Sequence, residues 1–449
     1  MKLKRFSLVL VLTILISSCS SVFAKTNNQV SPPAIHGSAA VTLDMETGEI
    51  IYAKDVDGTK YSKSKNTKGM YPASVTKLMT ALIFAENKDK LGLNTLKYNK
   101  SAEEQPEYSL KINFPTAKLK KGDSIPAEDV MNSLLLFSAN DMAYVIAGNV
   151  GKAGKNDENS KESVDNFINM MNKEASKLHM KNTHFVTANG LHDVEHYTTP
   201  YDLSLLGRAA LKNNWIANTM KSKKSSMSIN GVNIPLENRN KLVGETVNGA
   251  VCIGGKTGYT SNAGRCLLAI FEKNGRKILG VVMNSIYDSK DTFVFEDMKK
   301  IIDWSYNAKK VNYLKKDSIV ATETLKYKPL KFFGPEKSVK VPLILKENVN
   351  YYDNEVNSKE ISKKIDAKDL SLKTLNGDKP VAKLVISQRE ATKSFNLYTN
   401  ISKTEIFKSN LFLYLIVAAV VIAVLVLIIS LIFFIKNLIN KKRSSRYWS

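Results

Sequence analysis

Leu411 to Ile435 is uncharged and almost wholly apolar, and it limits every fold the rest of the chain can adopt. As a helix it is long enough to cross the roughly 30 Å hydrocarbon core of a bilayer. The core helix of a soluble domain is the competing reading, but a run this long without a polar face is rarely that. Lys436 and the Lys441-Lys442-Arg443 cluster follow at once, so the positive-inside rule leaves residues 436–449 as a basic cytoplasmic tail. At the other end, Met1 to Ala24 has a basic start, an apolar run from Phe6 to Ile16 and a small-residue exit at Val22-Phe23-Ala24. That is the pattern of a secretory signal peptide cut after Ala24. Ile16-Ser17-Ser18-Cys19 also reads as a lipobox that would leave a lipid on Cys19; since one spanning helix suffices as an anchor, cleavage is the favoured reading. Residues 25–410 are then expected outside the cell, on a single-pass membrane protein.

The formal charge of +23 is in part an addressing effect, because eight cations lie in the two terminal segments and leave about +15 for the body. Body lysines are scattered or in short groups, Lys60 to Lys68 and Lys221 to Lys224, without interleaved aromatics. This is not the stripe of a nucleic-acid groove; it fits a solvated surface or weak attraction to anionic wall polymers or headgroups. The length of 449 residues suggests two or three modules. With Cys19 lost, Cys252 and Cys266 are the candidates for a disulfide in an oxidising compartment. A hairpin turning at Tyr259 to Ala263 would not put them opposite each other, so buried thiols are the simpler expectation.

A linker over residues 25–35, with Pro32-Pro33, leads into alternating β-rich segments at Ser38 to Leu43 and Ile50 to Ala53. Helical spacing follows from Ser74 to Ala85, at Ala127 to Leu136, Ser163 to Leu178, Pro200 to Lys212 and Phe293 to Ala308. Ser228 to Ile234, Ala250 to Gly255, Arg265 to Lys273 and Lys277 to Asn284 read as strands, the last two joined by Asn274-Gly275. Residues 36–310 are therefore expected as a mixed α/β domain with helices packed on an antiparallel sheet. From Val311 the pattern turns to alternation, at Ser338 to Leu345, Val381 to Ser387 and Phe395 to Thr399, which predicts a small all-β domain over residues 311–400. The polar stretch Gly151 to Ser163 reads as a surface loop.

Three short motifs carry chemistry. In Pro72-Ala73-Ser74-Val75-Thr76-Lys77 the serine and lysine are three apart where a helix begins, and so share one face. A partly desolvated lysine loses its proton more easily and can activate a hydroxyl. Alone, the pair could equally be an N-cap serine and a chance lysine. Ser138-Ala139-Asn140 offers a hydroxyl to relay a proton and an amide to hold a substrate amide, or is a turn between helices. Lys256-Thr257-Gly258 offers a cation and a hydroxyl for a carboxylate, with a glycine that permits close backbone approach, or is a strand end. None of this chemistry requires a metal or cofactor.

In order and spacing the trio resembles the penicillin-binding protein and serine β-lactamase superfamily. More narrowly, the text resembles the low-molecular-weight D-alanyl-D-alanine carboxypeptidases of peptidase family S11. The phrases that carry this are Pro72 to Thr80, Ser138 to Asp141, Asn182-Thr183-His184-Phe185, Asn189-Gly190-Leu191, His196-Tyr197-Thr198-Thr199, Asn238-Arg239-Asn240 and Gly255 to Thr260. The resemblance covers about residues 36 to 400. It implies a transpeptidase-like fold and removal of the terminal D-alanine from peptidoglycan stem peptides. Ser74 would be the nucleophile, Lys77 its base, Ser138 and Asn140 aids to proton transfer and substrate placement, and Lys256 with Thr257 the carboxylate anchor. The backbone N–H groups of Ser74 and Tyr259, with Gly258 between motif and tyrosine, would frame the oxyanion hole, and β-lactams would acylate the same serine. Two departures stand out: Ala139 replaces a commoner glycine, and Met283-Asn284-Ser285 lacks an arginine that many relatives carry near there.

Other readings compete. A class A β-lactamase needs a deacylating glutamate; Glu174 has the right separation, but Leu178 follows where asparagine is expected. A zinc peptidase could use His192 and His196, yet their surroundings read as loop and no third ligand is evident. A non-catalytic sensor of the same fold would need a cytoplasmic signalling module, and only residues 436–449 follow the helix.

Overall fold

The computed structural model describes residues 31–60, 69–115, 117–152, 161–375 and 378–444. The signal segment with Cys19, most of the linker, most of the Gly151 to Ser163 stretch and the last five residues lie outside these. At the centre is a six-stranded antiparallel sheet in the order Ile50–Lys54, Ala39–Asp44, Arg276–Ser285, Gly264–Lys273, Ala250–Thr260, Thr246–Val247. Hence the first and last strands of this sheet in chain order pair, Val41 opposite Val281. The strand Gly264–Lys273 shows why the sheet is a middle layer. Cys266, Leu268 and Ile270 point into one apolar cluster while Leu267, Ala269 and Phe271 point into another, as a period of two requires. The first cluster packs beneath the helices Lys77–Asn87, Asn140–Gly151 and Pro200–Ala210; the second is covered by the helix Phe293–Asn307.

Most expected elements are present with small changes of boundary, and three differ for identifiable reasons. The helix expected from Ser74 opens as a 3-10 turn, Ala73–Thr76, before α geometry begins at Lys77. The helix Ala127–Asn132 gives way to a π turn, Ser133–Phe137, instead of running on. The single strand expected at Ser228 to Ile234 is a hairpin of Lys224–Ile229 and Val232–Glu237. Its turn is Asn230-Gly231, with φ of 51° and 81°, the pair that matches strand twist in a two-residue loop.

Beyond Val311 the strands form a five-stranded antiparallel sheet in the order Ile319–Tyr327, Lys337–Leu345, Ala391–Tyr398, Ala382–Gln388, Ser362–Asp366, beside a short pair of Val311–Leu314 and Val349–Tyr351. This sheet has its own apolar cluster around Leu343, Leu345, Leu384 and Leu397. The helix Lys403–Ser409, with a Ser402–Glu405 capping box, leads into the helix Leu411–Ser444. The latter is long and apolar enough over Leu411–Lys441 to cross a membrane and is a candidate anchor. Cys252 and Cys266 are free, buried thiols; Cys266 stands opposite Gly258 and Cys252 opposite Phe271, well apart along the ladder.

Candidate active site

Ser74 is half-buried on the 3-10 turn, and the preceding Ala73 has φ 49°, a strained value for a residue with a side chain. The turn of helix that follows brings Lys77 round to the same face. Its Nζ lies 2.8 Å from Ser74 Oγ and donates to Asn140 Oδ1 at 2.7 Å and to the Asn189 carbonyl at 2.9 Å, so that as a neutral amine it keeps a lone pair for the Ser74 hydroxyl. Lys77 is fully buried, and burial, with the nearby Lys256 cation, pushes its pKa well below the ordinary 10.5 against an opposing pull from Asp141.

The second motif sits where the π turn ends. Ser138 adopts φ 72°, ψ 34°, a left-handed conformation rare for serine, while the Ala139 N–H closes back on the Ser133 carbonyl at 3.0 Å. Such π turns frequently mark functional positions. The geometry aims Ser138 and Asn140 at the two lysines: Lys256 Nζ donates to Ser138 Oγ at 2.8 Å, as Lys77 does to Asn140. The Ala139 side chain points into the core, so its replacement of glycine leaves the cleft unchanged.

Lys256 lies on the strand Ala250–Thr260, 1% exposed, and burial together with the Arg239 cation lowers its pKa to about 7. This strand passes very close to the serine turn. A Cβ on Gly258 would stand 3.0 Å from the Ser74 nitrogen and 2.9 Å from the Pro72 carbonyl oxygen, so glycine is what lets the backbone around Tyr259 share a space with the Ser74 amide. A cleft of about 460 Å³ opens here, lined by Ser74, Ser138, Asn140, Thr257, Gly258 and Tyr259 among others. All eight residues singled out from the sequence therefore converge, the two lysines beneath the cleft and the rest on its wall.

Residues 26–286 match the family model described as D-alanyl-D-alanine carboxypeptidase. The chain belongs to this family. The carboxypeptidase is 30% identical to D-alanyl-D-alanine carboxypeptidase DacD of Escherichia coli K12 over 71% of its own length and 76% of that protein. To DacF of Bacillus subtilis 168 it is 24% identical, over 79% of its length and 85% of that protein. The fold matches the crystal structure of the Streptomyces K15 DD-transpeptidase with a TM-score of 0.52 at 26% identity, covering 62% of this chain and 100% of that one. Membership makes the chain a serine-type D-Ala-D-Ala carboxypeptidase with a penicillin-binding-protein fold.

Several residues of the carboxypeptidase cleft were not singled out from the sequence. Arg239 and Arg265 both line it. Arg265 lies between Tyr259 and Tyr287, its guanidinium carbon 4.4 and 4.7 Å from the ring centres, and pairs with Asp291 at 2.7 Å. Met283-Asn284-Ser285, where an arginine was missed, faces elsewhere: Ser285 donates to the buried Asp297 at 2.7 Å. Asp141, fully buried, accepts from the Ile112, Asn113 and Met142 N–H groups and so ties the loop that carries Leu110 to the second motif; burial raises its pKa to about 6 against those donors.

The competing constellations have structural employment. His196 accepts the Val186 and Thr187 N–H groups on Nδ1 at 3.0 and 3.1 Å, so its proton sits on Nε2, donated to Thr76 Oγ1 at 2.9 Å. Burial lowers its pKa to about 3 and keeps it neutral. His192 packs edge-on against Tyr71. Glu174 pairs with Lys177 at 2.7 Å on the helix Lys161–Lys177, away from the cleft lining.

Proposed function

We propose that Ser74 is the nucleophile of this carboxypeptidase and Lys77 the base that receives its proton. The observation that carries the proposal is the Lys77 amine 2.8 Å from the Ser74 hydroxyl in a fully buried position, where neutral amine is the favoured form. Ser74 Oγ attacks the carbonyl carbon between the two terminal D-alanines, and its proton passes to Lys77 Nζ. The oxyanion is held by the Ser74 and Tyr259 N–H groups. The leaving amine takes a proton relayed through Ser138, D-alanine departs, and water hydrolyses the ester on Ser74. Asn140 holds the penultimate amide, and Lys256 with Thr257 receives the terminal carboxylate, with Gly258 giving the strand its close approach. Peptidoglycan stem peptides ending in D-Ala-D-Ala are the substrates, and β-lactams acylate Ser74 as mimics of that end.

The same reading places the catalytic region, residues 36–310, outside the cell after removal of a signal peptide over residues 1–24. Residues 311–400 would act as the spacer between it and a membrane span at residues 411–435, with residues 436–449 cytoplasmic. The test is to expose the full chain and its S74A variant to a fluorescent penicillin and to a peptide ending in D-Ala-D-Ala. Labelling and D-alanine release that are both lost in S74A support the assignment; labelling that persists in S74A overturns it.

A further inference from the structure

The hairpin Ile319–Tyr327/Lys337–Leu345 ends in a loop, residues 328–336, that takes no part in the chemistry above. Phe332 and Phe333 stand at its tip, 84% and 63% exposed. Adjacent exposed phenylalanines on a soluble surface mark a contact, and what surrounds these two indicates which. The last ladder pair of the hairpin, Tyr327 opposite Lys337, is fastened to the head of the apolar helix: Lys337 Nζ donates to Asn410 Oδ1 at 2.8 Å and Asn410 Nδ2 to Tyr327 Oη at 3.0 Å. One turn further along that helix, Tyr414 Oη reaches the Pro329 carbonyl at 3.5 Å. The hairpin therefore advances in the same direction as the helix from Asn410 to Tyr414, and the phenylalanines follow Pro329 in the loop that continues from it. Lys326, Lys328, Lys331 and Lys337 ring the loop, with only Glu336 against them, paired to Lys326 at 3.7 Å.

We infer that this loop is a second membrane contact, with Phe332 and Phe333 inserted into the outer leaflet beside the spanning helix and the lysines at the headgroups. Aromatic tips with a basic collar are the composition of an interfacial anchor, and Tyr414 and Phe412 sit where an aromatic belt would lie. A protein partner would not require the tip to align with the head of the helix; a bilayer surface does. With a helix alone the catalytic region could tilt about one point. Two contacts fix which face of the five-stranded sheet meets the membrane, and with it the height of the Ser74 cleft above the lipid.

The inference rests on the reading of Leu411–Ile435 as a membrane span, and the test separates the two. Full-length F333C, with F332C in parallel, carries a nitroxide and is reconstituted in vesicles of phosphatidylglycerol and phosphatidylethanolamine. L425C in the helix and K363C on the far edge strand Ser362–Asp366 serve as references; Cys252 and Cys266 are buried, and the unsubstituted chain is the labelling blank. Collisions with oxygen are expected to exceed those with a water-soluble nickel chelate at 332, 333 and 425, and to fall below them at 363. A label at 425 in lipid with those at 332 and 333 in water overturns the loop contact and leaves the span standing. Water at 425 overturns both. Shielding of the tip from both collision partners, in detergent as in vesicles, means that protein covers it and overturns the contact as well.

Discussion

At the scale of single residues the mechanism we propose depends on two buried amines in opposite protonation states. Lys77 works neutral, and its neutral fraction grows as pH rises; Lys256 works as a cation, and its pKa of about 7 means that the charge is lost as pH climbs through neutrality. The pH profile of kcat/KM on a D-Ala-D-Ala peptide is thus expected to have a falling limb near 7. K256R, whose guanidinium stays charged, moves that limb out of the accessible range. R239Q, by removing the cation that helps depress Lys256, moves it upward. A falling limb that stays in place in both variants would show that Lys256 does not set it. Position 190 offers a purely steric test. Gly190 has φ 81°, and a Cβ there would overlap the Ala73 carbonyl oxygen. G190A is expected to displace the serine turn, lowering the penicillin acylation rate by at least tenfold and stability by about 1–3 kcal/mol, read by labelling kinetics and urea unfolding. Ser74, Lys77, Ser138, Asn140, Lys256 and Thr257 were legible because their spacing is set by single turns and strands. Arg239 and Arg265 were not, because each reaches the cleft only through a tertiary fold; the phrase Asn238-Arg239-Asn240 was the one signal available for the first of them.

Among elements, the helix Phe293–Asn307 shows how the catalytic region is closed. Asp297, fully buried on it, accepts the His36 and Gly37 N–H groups at 2.9 and 2.8 Å and the Ser285 hydroxyl at 2.7 Å. One carboxylate thereby fastens the entry to the first strand, the end of the last long strand and the covering helix. D297A leaves these donors without partners, each costing about 1–3 kcal/mol, so a loss of about 3–5 kcal/mol is expected in denaturant unfolding, and a smaller one for D297N, whose amide oxygen still accepts. An unchanged midpoint for D297A would show that water replaces the carboxylate. The strand pattern around this helix was readable from alternation and from the Asn274-Gly275 turn. The same reasoning ran through Asn230-Gly231 and returned one strand in place of a hairpin, although the apolar positions shift there from odd (Met227, Ile229) to even (Ile234, Leu236), the change of phase that a two-residue turn imposes. It could not foresee the π turn at Ser133–Phe137. The local sequence Ser133-Leu134-Leu135-Leu136-Phe137 favours a continuous helix, and what breaks it is the left-handed Ser138 that Lys256 holds from another part of the chain.

Over the whole molecule, the β-rich sheet and the catalytic region are joined by two charge pairs more than 300 residues apart, Arg389 with Asp57 and Lys393 with Glu49. Arg389 grips Asp57 with two bonds of 2.9 and 2.7 Å and Glu360 with two more of 2.7 and 2.8 Å, its guanidinium lying 4.4 Å from the Tyr201 ring centre. Glu49 receives Lys310 and Lys393 at 2.7 and 2.8 Å. Burial would raise the Glu49 pKa, but the two lysines overcome it and hold the carboxyl below its usual 4.5. A depressed acid stabilises the fold above its unfolded pKa and loses that contribution as pH falls through the folded one, so this junction is expected to weaken as pH falls below the ordinary carboxylate range. No sequence pattern announced these pairs, since nothing local to residue 389 refers to residue 57. Asp57 and Glu360 are each more than a third exposed, which discounts the bridge to about 2 kcal/mol despite four short bonds. R389M keeps the aliphatic contact with Tyr201 and removes the bridge. It is expected to leave penicillin acylation of Ser74 unchanged while the calorimetric transition of the ectodomain splits or broadens, the β-rich sheet melting first. A single transition at the original midpoint would mean that the apolar contacts between the two sheets, rather than Arg389, make them one unit; slowed acylation would mean that the junction reaches the cleft through Asp57 and the helix Pro200–Ala210 on which Tyr201 lies.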